Sequence, residues 1–204
     1  MTPQDVLTYW FGQLDGQGRW PESKNKLWFM GGEAVDKEIQ NRFGALHQQA
    51  VDGHLDDWLN DRDGRMALVI LLDQFSRNLH RGTPGAFAAD ARARQISMET
   101  INQRLDTSYY PIERVFLYMP LEHSEQVSDQ LLCLICMQRL VDDAPKDQRE
   151  TFEGYVQYAQ KHLDLILRFG RFPHRNAILQ RDPTPEETAY LNDGGETFGQ
   201  KSSS

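Results

Sequence analysis

The chain has 204 residues and a formal net charge of −8, because 30 acidic side chains outnumber 22 basic ones. This length predicts one large domain or two small ones, with a core that needs neither disulfides nor zinc for stability. The acidic charge argues against broad binding to nucleic acid or to an anionic membrane. Two cysteines make no disulfide framework and the first ten residues do not resemble a signal peptide, so we expect a cytoplasmic protein.

Two helix signals mark the N-terminal part of the chain. Thr2 as a cap, Pro3 at the first helical position and Gly12 as the stop predict a short first helix. Residues 13–26 are mostly polar and contain glycine and proline, which predicts a loop. Apolar residues spaced for one helical face then predict a long helix over residues 33–52.

The central part continues with helical periodicity. After a short turn at residues 56–59, one apolar stripe extends from Leu68 to Leu79. The glycines and proline of residues 82–85 break it. Residues 86–105 have a helix-favouring composition, so we predict another helix there.

Proline and glycine delimit the helices of the C-terminal half. Pro111 opens a short helix that Pro120 is predicted to end. Two long helices follow over residues of about 125–141 and 146–169, and Gly170 closes the second.

The end of the chain divides into one more helix and a tail. Thr184 and Glu187 form a capping box that predicts the start of the last helix. Residues 192–204 are polar and rich in glycine and serine, so we predict a disordered tail that adds nothing to stability. No stretch alternates like a strand between hairpin turns. The predicted fold class is therefore all-α, with a single helical domain over residues 1–191.

The sequence contains none of the common catalytic or nucleotide-binding motifs. Cys133 and Cys136 have the spacing of a redox or metal pair, but they lie in an apolar helical stretch, which predicts reduced and buried core residues. Glu122, His123 and Glu125 could bind a metal only if adjacent helical positions pointed the same way, so a charge cluster at a helix start is the favoured interpretation. We expect neither a metal nor a cofactor.

The first concentration of polar side chains lies in the segment LLDQFSRNLHRG. Asp73, Arg77 and His80 share one face of the predicted helix, and Gln74 and Asn78 lie beside them. A solvated surface with one Asp–Arg pair, worth a few tenths of a kcal/mol, explains the charges. It explains the crowding of amides, guanidinium and imidazole into two turns less well, so a functional site is an equal alternative.

A second concentration follows in YAQKHLDLILRFGRFPHRN. His162 lies on the apolar stripe of its helix, where a satisfied core histidine is the simpler interpretation. Beyond it cluster Arg168, Arg171, His174, Arg175 and Asn176. Four arginines and no acid between residues 165 and 181 suit a small anion, a carboxylate or a phosphate. The alternative is that these arginines pair with acids of other helices, such as Glu113 or Glu122.

A third group lies on the short helix between two prolines, where Glu113, Arg114 and Tyr118 are found. Short rigid segments with mixed charge are commonly used to position functional groups. They equally serve as structural corners, so both interpretations stay open.

Four segments in order, VLTYWFG, LLDQFSRNLHRGTPGAFAAD, YYPIERVFLYMPLEHSE and HLDLILRFGRFPHRNAILQR, resemble the bacterial family called domain of unknown function 924. The resemblance covers residues 3–191 and implies an all-helical, tetratricopeptide-like fold whose helices stack as antiparallel pairs. It implies no activity and therefore no catalytic residue. Its motif positions in this chain are Trp10, Trp28, Phe29, Asp73, Gln74, Arg77, Asn78, Glu113, Arg114, His123, Arg168, Phe169, Gly170, Arg171, Phe172, His174, Arg175 and Asn176.

Three functional hypotheses follow from these residues. A binding module would hold a small anionic metabolite or a peptide carboxylate in a concave pocket of the helix stack. An enzyme, for example a hydrolase, would use a histidine with a carboxylate partner such as Asp73 or Glu113 in the same pocket. A closed polar network would only fix helix packing. The candidate site residues are Trp10, Trp28, Asp73, Arg77, Asn78, His80, Glu113, Arg114, Tyr118, His123, His162, Arg168, Arg171, His174 and Asn176.

The binding hypothesis carries one specific geometric expectation. Residues from three separate segments are expected to converge on a single pocket, namely Arg77, Asn78, Arg114, Arg168 and Arg171.

Overall fold

The computed structural model describes residues 1–199, and all regular secondary structure in that part is helical. The α-helices are α1 (Pro3–Phe11), α2 (Ser23–Phe29), α3 (Glu33–Val51), α4 (Arg62–Val69), α5 (Ser76–Leu79), α6 (Asp90–Asn102), α7 (Pro111–Glu122), α8 (Val127–Asp143), α9 (Arg149–Phe169) and α10 (Pro185–Asn192). The all-α prediction is confirmed. Among the described helices, none is both long and apolar enough to cross a membrane.

A π-helical segment, Ile70–Phe75, joins α4 to α5 without a break. The predicted apolar stripe is therefore one continuous helix, as expected, but its middle turns are wider than α-helical. π-Helical turns are rare and occur frequently at functional sites. This one carries Asp73 into the interior, since that side chain has no exposed surface.

The main hydrophobic core has Trp10, Phe43, Phe75, Phe116 and Phe152 among its fully buried side chains. Burial of each such aromatic ring stabilises the fold by about 1.5–3 kcal/mol. A second, smaller cluster consists of Leu165, Ile166 and Phe172. Consecutive helices α6 to α9 pack side by side, and the short connections at residues 123–126 and 144–148 favour antiparallel neighbours. This arrangement agrees with a stack of helix pairs.

Several predicted boundaries differ from the structure. The helix predicted over residues 86–105 is shorter, Asp90–Asn102, and at α2 and α7 tertiary contacts outweigh local signals. The predicted loop gives way to α2, whose Trp28 packs its ring 4.8 Å from that of Phe116. Pro120 does not end α7, which continues to Glu122. The proline lies in the last turn, where the helix loses one hydrogen bond and still reaches its cap at His123.

The C-terminal segment partly falls within the described residues. Phe198 stacks on the ring of His162 with the two centroids 3.5 Å apart. Residues 200–204 of the predicted disordered tail lie outside the described part of the chain. The expectation that the tail adds no stability stays a prediction.

Candidate functional site

A buried carboxylate paired with a histidine forms the centre of the site. Asp73, from the π-helical segment, has no exposed surface, and its Oδ1 lies 2.7 Å from Nδ1 of His123. Gln74 donates to the other oxygen at 2.5 Å, and Arg77 approaches Oδ1 at 3.3 Å. His123 reaches Asp73 because α7 continues past Pro120 and places it at the helix cap. Two residues 50 positions apart in the chain thus form a carboxylate–imidazole dyad.

The charges of the dyad follow from its surroundings. Burial opposes ionisation of Asp73, but the positive charge of Arg77 and the contacts with His123 outweigh it and lower the pKa of the carboxyl group. Burial lowers the pKa of His123, and Arg77 adds to this effect while Asp73 opposes it. At neutral pH we therefore assign an ionised Asp73 that accepts a hydrogen bond from Nδ1–H of a neutral His123.

Arg77 is fully occupied in holding this arrangement. Its guanidinium forms two hydrogen bonds with Asp90, the first residue of α6, at 2.9 and 3.2 Å. It also donates to the backbone oxygen of Asp73 at 3.0 Å. Arg77 therefore ties α6 to the π-helical segment and leaves no charge free for a ligand.

A cleft of about 240 Å³ opens beside the dyad. It lies between the start of α6 and the connection from α7 to α8, and its wall consists of Asp90, Ala91, Arg94, Pro120, His123, Ser124, Glu125, Gln126 and Arg175. The side chain of His123 is 15% exposed. Its Nε2 is not buried and makes no hydrogen bond within residues 1–199. The free nitrogen of the dyad is thus available to a molecule in this cleft.

Arg175 is the second notable side chain of the cleft wall. It is 6% exposed, and its guanidinium carbon lies 4.4 Å from the ring centroid of Phe172 and 4.8 Å from that of Phe87. Its Nη1 donates to the backbone oxygen of His123 at 2.9 Å. Within the described chain its Nε and Nη2 donate to no acceptor, and no carboxylate lies within 4 Å.

The nearby acids are already paired with other arginines, which explains the state of Arg175. Glu125 accepts two hydrogen bonds from Arg181 at 2.7 and 3.0 Å, and Asp90 is bound to Arg77. Burial, followed by repulsion from Arg77, lowers the pKa of Arg175 to about 10. The guanidinium is still charged at neutral pH, in a place that water barely reaches.

Behind the dyad lies a cluster of uncharged titratable groups. His162 donates from Nδ1 to the backbone oxygen of Tyr158 at 2.9 Å, and burial lowers its pKa to about 2. Glu122 lies 3.5 Å from the same nitrogen, and burial raises its pKa to about 8. The ring centroid of His162 is 6.5 Å from that of His123. The prediction that His162 faces the interior is confirmed.

Residues 6–195 match the model of a family described as bacterial protein of unknown function (DUF924). The chain belongs to this family. It is also similar to a solved structure of a protein of unknown function from Agrobacterium tumefaciens, with 35% sequence identity over 94% of this chain and 97% of that chain, and a TM-score of 0.75. None of the curated proteins matches the chain.

Other candidate residues of the DUF924 chain lie at the opposite end of α7. Arg114 binds Asp143 at 2.6 Å and the hydroxyl of Tyr118 at 3.0 Å, and that hydroxyl donates to Asp106. Glu113 binds Arg62 at 2.6 Å. His123 follows Arg114 by nine positions, which corresponds to about 14 Å along a helix axis. This second polar cluster is independent of the cleft.

The five residues expected to converge on one pocket do not line the cleft. Arg168 pairs with Glu186 and Arg171 with Glu187, both on α10, at 2.9 and 2.6 Å. Asn78 donates to Asp36 of α3 at 2.8 Å. With Arg77 and Arg114 paired as described, each of the five contacts a different carboxylate. The arginines of the C-terminal cluster therefore include two that pair with acids of another helix, which was the alternative to anion binding. The partners are Glu186 and Glu187, not the suggested Glu113 and Glu122.

The remaining candidate residues pack inside the protein or lie away from the cleft. Trp10 is buried in the core, and Trp28 donates to its backbone oxygen at 3.0 Å. His80 lies 5.6 Å from His47, ring to ring, away from the cleft wall. His174 and Asn176 flank Arg175 and are buried, each with one side-chain nitrogen that has no partner in the described structure.

The described part of the chain also bears on the expectations for metal ligands and for the two cysteines. No cluster of three or more potential metal ligands occurs among residues 1–199. Cys133 and Cys136 are buried and unbonded to each other, and burial raises the pKa of Cys136 to about 11. A buried thiol with a raised pKa is unreactive, so the prediction of buried core cysteines is confirmed.

Arg175 lines the cleft but is absent from the candidate site residues inferred from the sequence. The signal that could have found it was present, because it lies in the acid-free, arginine-rich stretch FGRFPHRN. What the sequence could not show is which of these arginines lacks an acidic partner.

Proposed function

We propose that the cleft beside His123 binds a small anion, a carboxylate or phosphate group, through Arg175. The supporting observation is a buried guanidinium with no carboxylate within 4 Å among the described residues. A buried charge without a counter-charge is costly, and an anionic ligand would remove that cost.

Nη2 is the nitrogen of Arg175 that such a ligand can reach. It has no acceptor in residues 1–199 and, unlike Nε, it is not buried. A charged guanidinium N–H forms strong hydrogen bonds with the oxygens of a carboxylate or phosphate. The acids of the wall do not repel the ligand strongly, because Asp90 and Glu125 are neutralised by Arg77 and Arg181.

The cleft is small. Pockets for drug-sized molecules have volumes of about 300–1,000 Å³. At about 240 Å³ this cleft has room for a small metabolite or for the terminal residue of a peptide, and its open side leaves space for the rest of a longer ligand.

Isothermal titration calorimetry with inorganic phosphate and with acetate tests the proposal. We expect Arg175→Met, which keeps length and removes charge, to weaken binding of at least one anion by about tenfold or more, equivalent to 1.4 kcal/mol. Arg168→Met is the matched control, because Arg168 is 51% exposed, pairs with Glu186 and lies outside the cleft wall. Equal affinities of the Arg175→Met variant and the wild type would contradict the proposal, as would a wild type that binds neither anion.

A further inference from the structure

We propose that this cleft is also hydrolytic: His123, held by Asp73, takes a proton from a water molecule that attacks an ester or amide of the anion bound by Arg175. The proposal rests on the anion site above for its substrate class. It adds a reaction and a base that anion binding alone does not require.

The orientation of the imidazole supports the role of a base. Nδ1 is held by Asp73, so the lone pair of a neutral ring lies on Nε2, which is the nitrogen available in the cleft. A carboxylate behind a histidine fixes the tautomer and stabilises the imidazolium that forms on proton uptake. Gln74 and Arg77 hold the carboxylate in turn, so the ring direction is set before any ligand arrives.

A second histidine, His47, also forms a side-chain hydrogen bond, but its surroundings differ from those of His123. His47 and Ser76 contact each other at 2.8 Å between Nε2 and Oγ, and both residues are buried. Neither residue lines the cleft. His123, in contrast, keeps an exposed nitrogen beside a buried cation, and this combination is what acid–base chemistry on an anion needs.

The proposed step needs only water as co-reactant. Nε2 of His123 accepts a proton from the water molecule while the water oxygen forms a bond to the carbonyl carbon of the substrate. The electron pair of the C=O double bond moves onto the carbonyl oxygen. When the tetrahedral intermediate collapses, the bond to the leaving alcohol or amine breaks, and His123 returns its proton to that group. The products are a carboxylic acid and the protonated leaving group, with His123 neutral again.

Two chromogenic esters test the reaction, mono-4-nitrophenyl succinate, which carries a carboxylate, and 4-nitrophenyl acetate, which does not. We expect the wild type to release 4-nitrophenolate with a kcat/KM about tenfold or more higher for the succinate ester. His123→Gln should lower this value by about 100-fold or more. The control is His54→Gln, because His54 is exposed and pairs with no acid in the described chain, and it should react as the wild type does.

Asp73 acts as a positioning residue, so its test separates rate from binding. Asp73→Asn should lower kcat for the succinate ester while KM and the affinity for phosphate change little. Because this buried variant can fail to fold, the wild type provides a second measurement: its kcat should fall in D2O, since the attack step transfers a proton. A wild-type rate equal to that of His123→Gln, or no isotope effect, overturns the hydrolytic role.

The two proposals fail in different ways. If phosphate binding depends on Arg175 but neither ester is hydrolysed faster than by His123→Gln, the anion site stands and hydrolysis is overturned. If hydrolysis depends on His123 but Arg175→Met keeps full affinity and full preference for the succinate ester, the anion site and its substrate class are overturned.

Discussion

A carboxylate without exposed surface, such as Asp73, remains ionised only because donors surround it on several sides. His123, Gln74 and Arg77 supply those donors from three positions. Arg175 is the opposite case, since it is buried close to the rings of Phe172 and Phe87 and no acid of the described structure forms an ion pair with it. These two residues should therefore respond to removal in opposite ways.

Asp73→Ala should lower the free energy of unfolding by about 3 kcal/mol, because His123, Gln74 and Arg77 lose a shared buried acceptor. Chemical denaturation measures this change. Asp57→Ala is the control, because Asp57 is exposed and forms no ion pair in residues 1–199. It should change stability by less than about 0.5 kcal/mol. A similar small effect for Asp73→Ala would show that the dyad is not held as described.

Arg175→Met should leave the melting temperature level or raise it in the absence of added anions. The variant removes a buried charge without leaving a protein carboxylate unpaired, and methionine retains part of the apolar packing against Phe172. Thermal unfolding in phosphate-free buffer measures the effect. A loss of several degrees would indicate a structural ion pair and count against a ligand-binding role.

Stability should pass through a maximum near pH 6.5. Burial lowers the pKa values of His47, His162 and His174 to about 4, 2 and 3, so the unfolded chain binds more protons below pH 6.5 and stability falls as the pH decreases. Burial raises the pKa of Glu122 to about 8, so between pH 6.5 and 8 the folded state binds more protons and stability falls as the pH increases.

Glu122→Gln isolates the second half of this profile. One proton corresponds to a slope of about 1.4 kcal/mol per pH unit, and the variant should lose that slope between pH 6.5 and 8 while it keeps the decline below pH 6.5. Denaturation curves at several pH values measure both. An unchanged slope above pH 6.5 would mean that Glu122 is already ionised in the folded protein.

At the scale of helices, the sequence predicted the ends that a local capping residue marks. The cap of Thr2 and the capping box of Thr184 are present as expected, and Gly170 closes α9 in the left-handed region. These signals act within a few residues and need no tertiary information. The π-helical turn and the passage of α7 through Pro120 depend on packing against other helices, so local patterns could not reveal them.

The C-terminal segment is where sequence and structure favour different results. Composition predicts that the tail adds no stability, but Phe198 stacks on His162 and approaches Tyr158 and Phe172. We expect Phe198→Ala to lower stability by about 1 kcal/mol, or about 2–4 °C in a chain of this length. Met30→Ala is the control, because Met30 is exposed. A change within a degree for both variants would support the disordered tail.

At the scale of the whole molecule, charge balance explains which parts of the site could be predicted. With 30 acids and 22 basic residues, most arginines of the described chain form an ion pair with a carboxylate. The sequence identified Asp73 and His123 as candidates by residue type and resemblance, but their pairing spans 50 positions and depends on the fold. Arg175 lacks an ion-pair partner because Arg77 and Arg181 bind the nearby carboxylates, and only the structure shows this.

The most direct test of the central claim is a crystal structure of the protein grown with inorganic phosphate. We expect a phosphate in the cleft, with an oxygen at a hydrogen-bonding distance of about 2.7–3.2 Å from Nη2 of Arg175 and on the side that Nε2 of His123 faces. A guanidinium of Arg175 paired instead with a protein carboxylate such as Glu125, with the phosphate bound elsewhere, would contradict the claim.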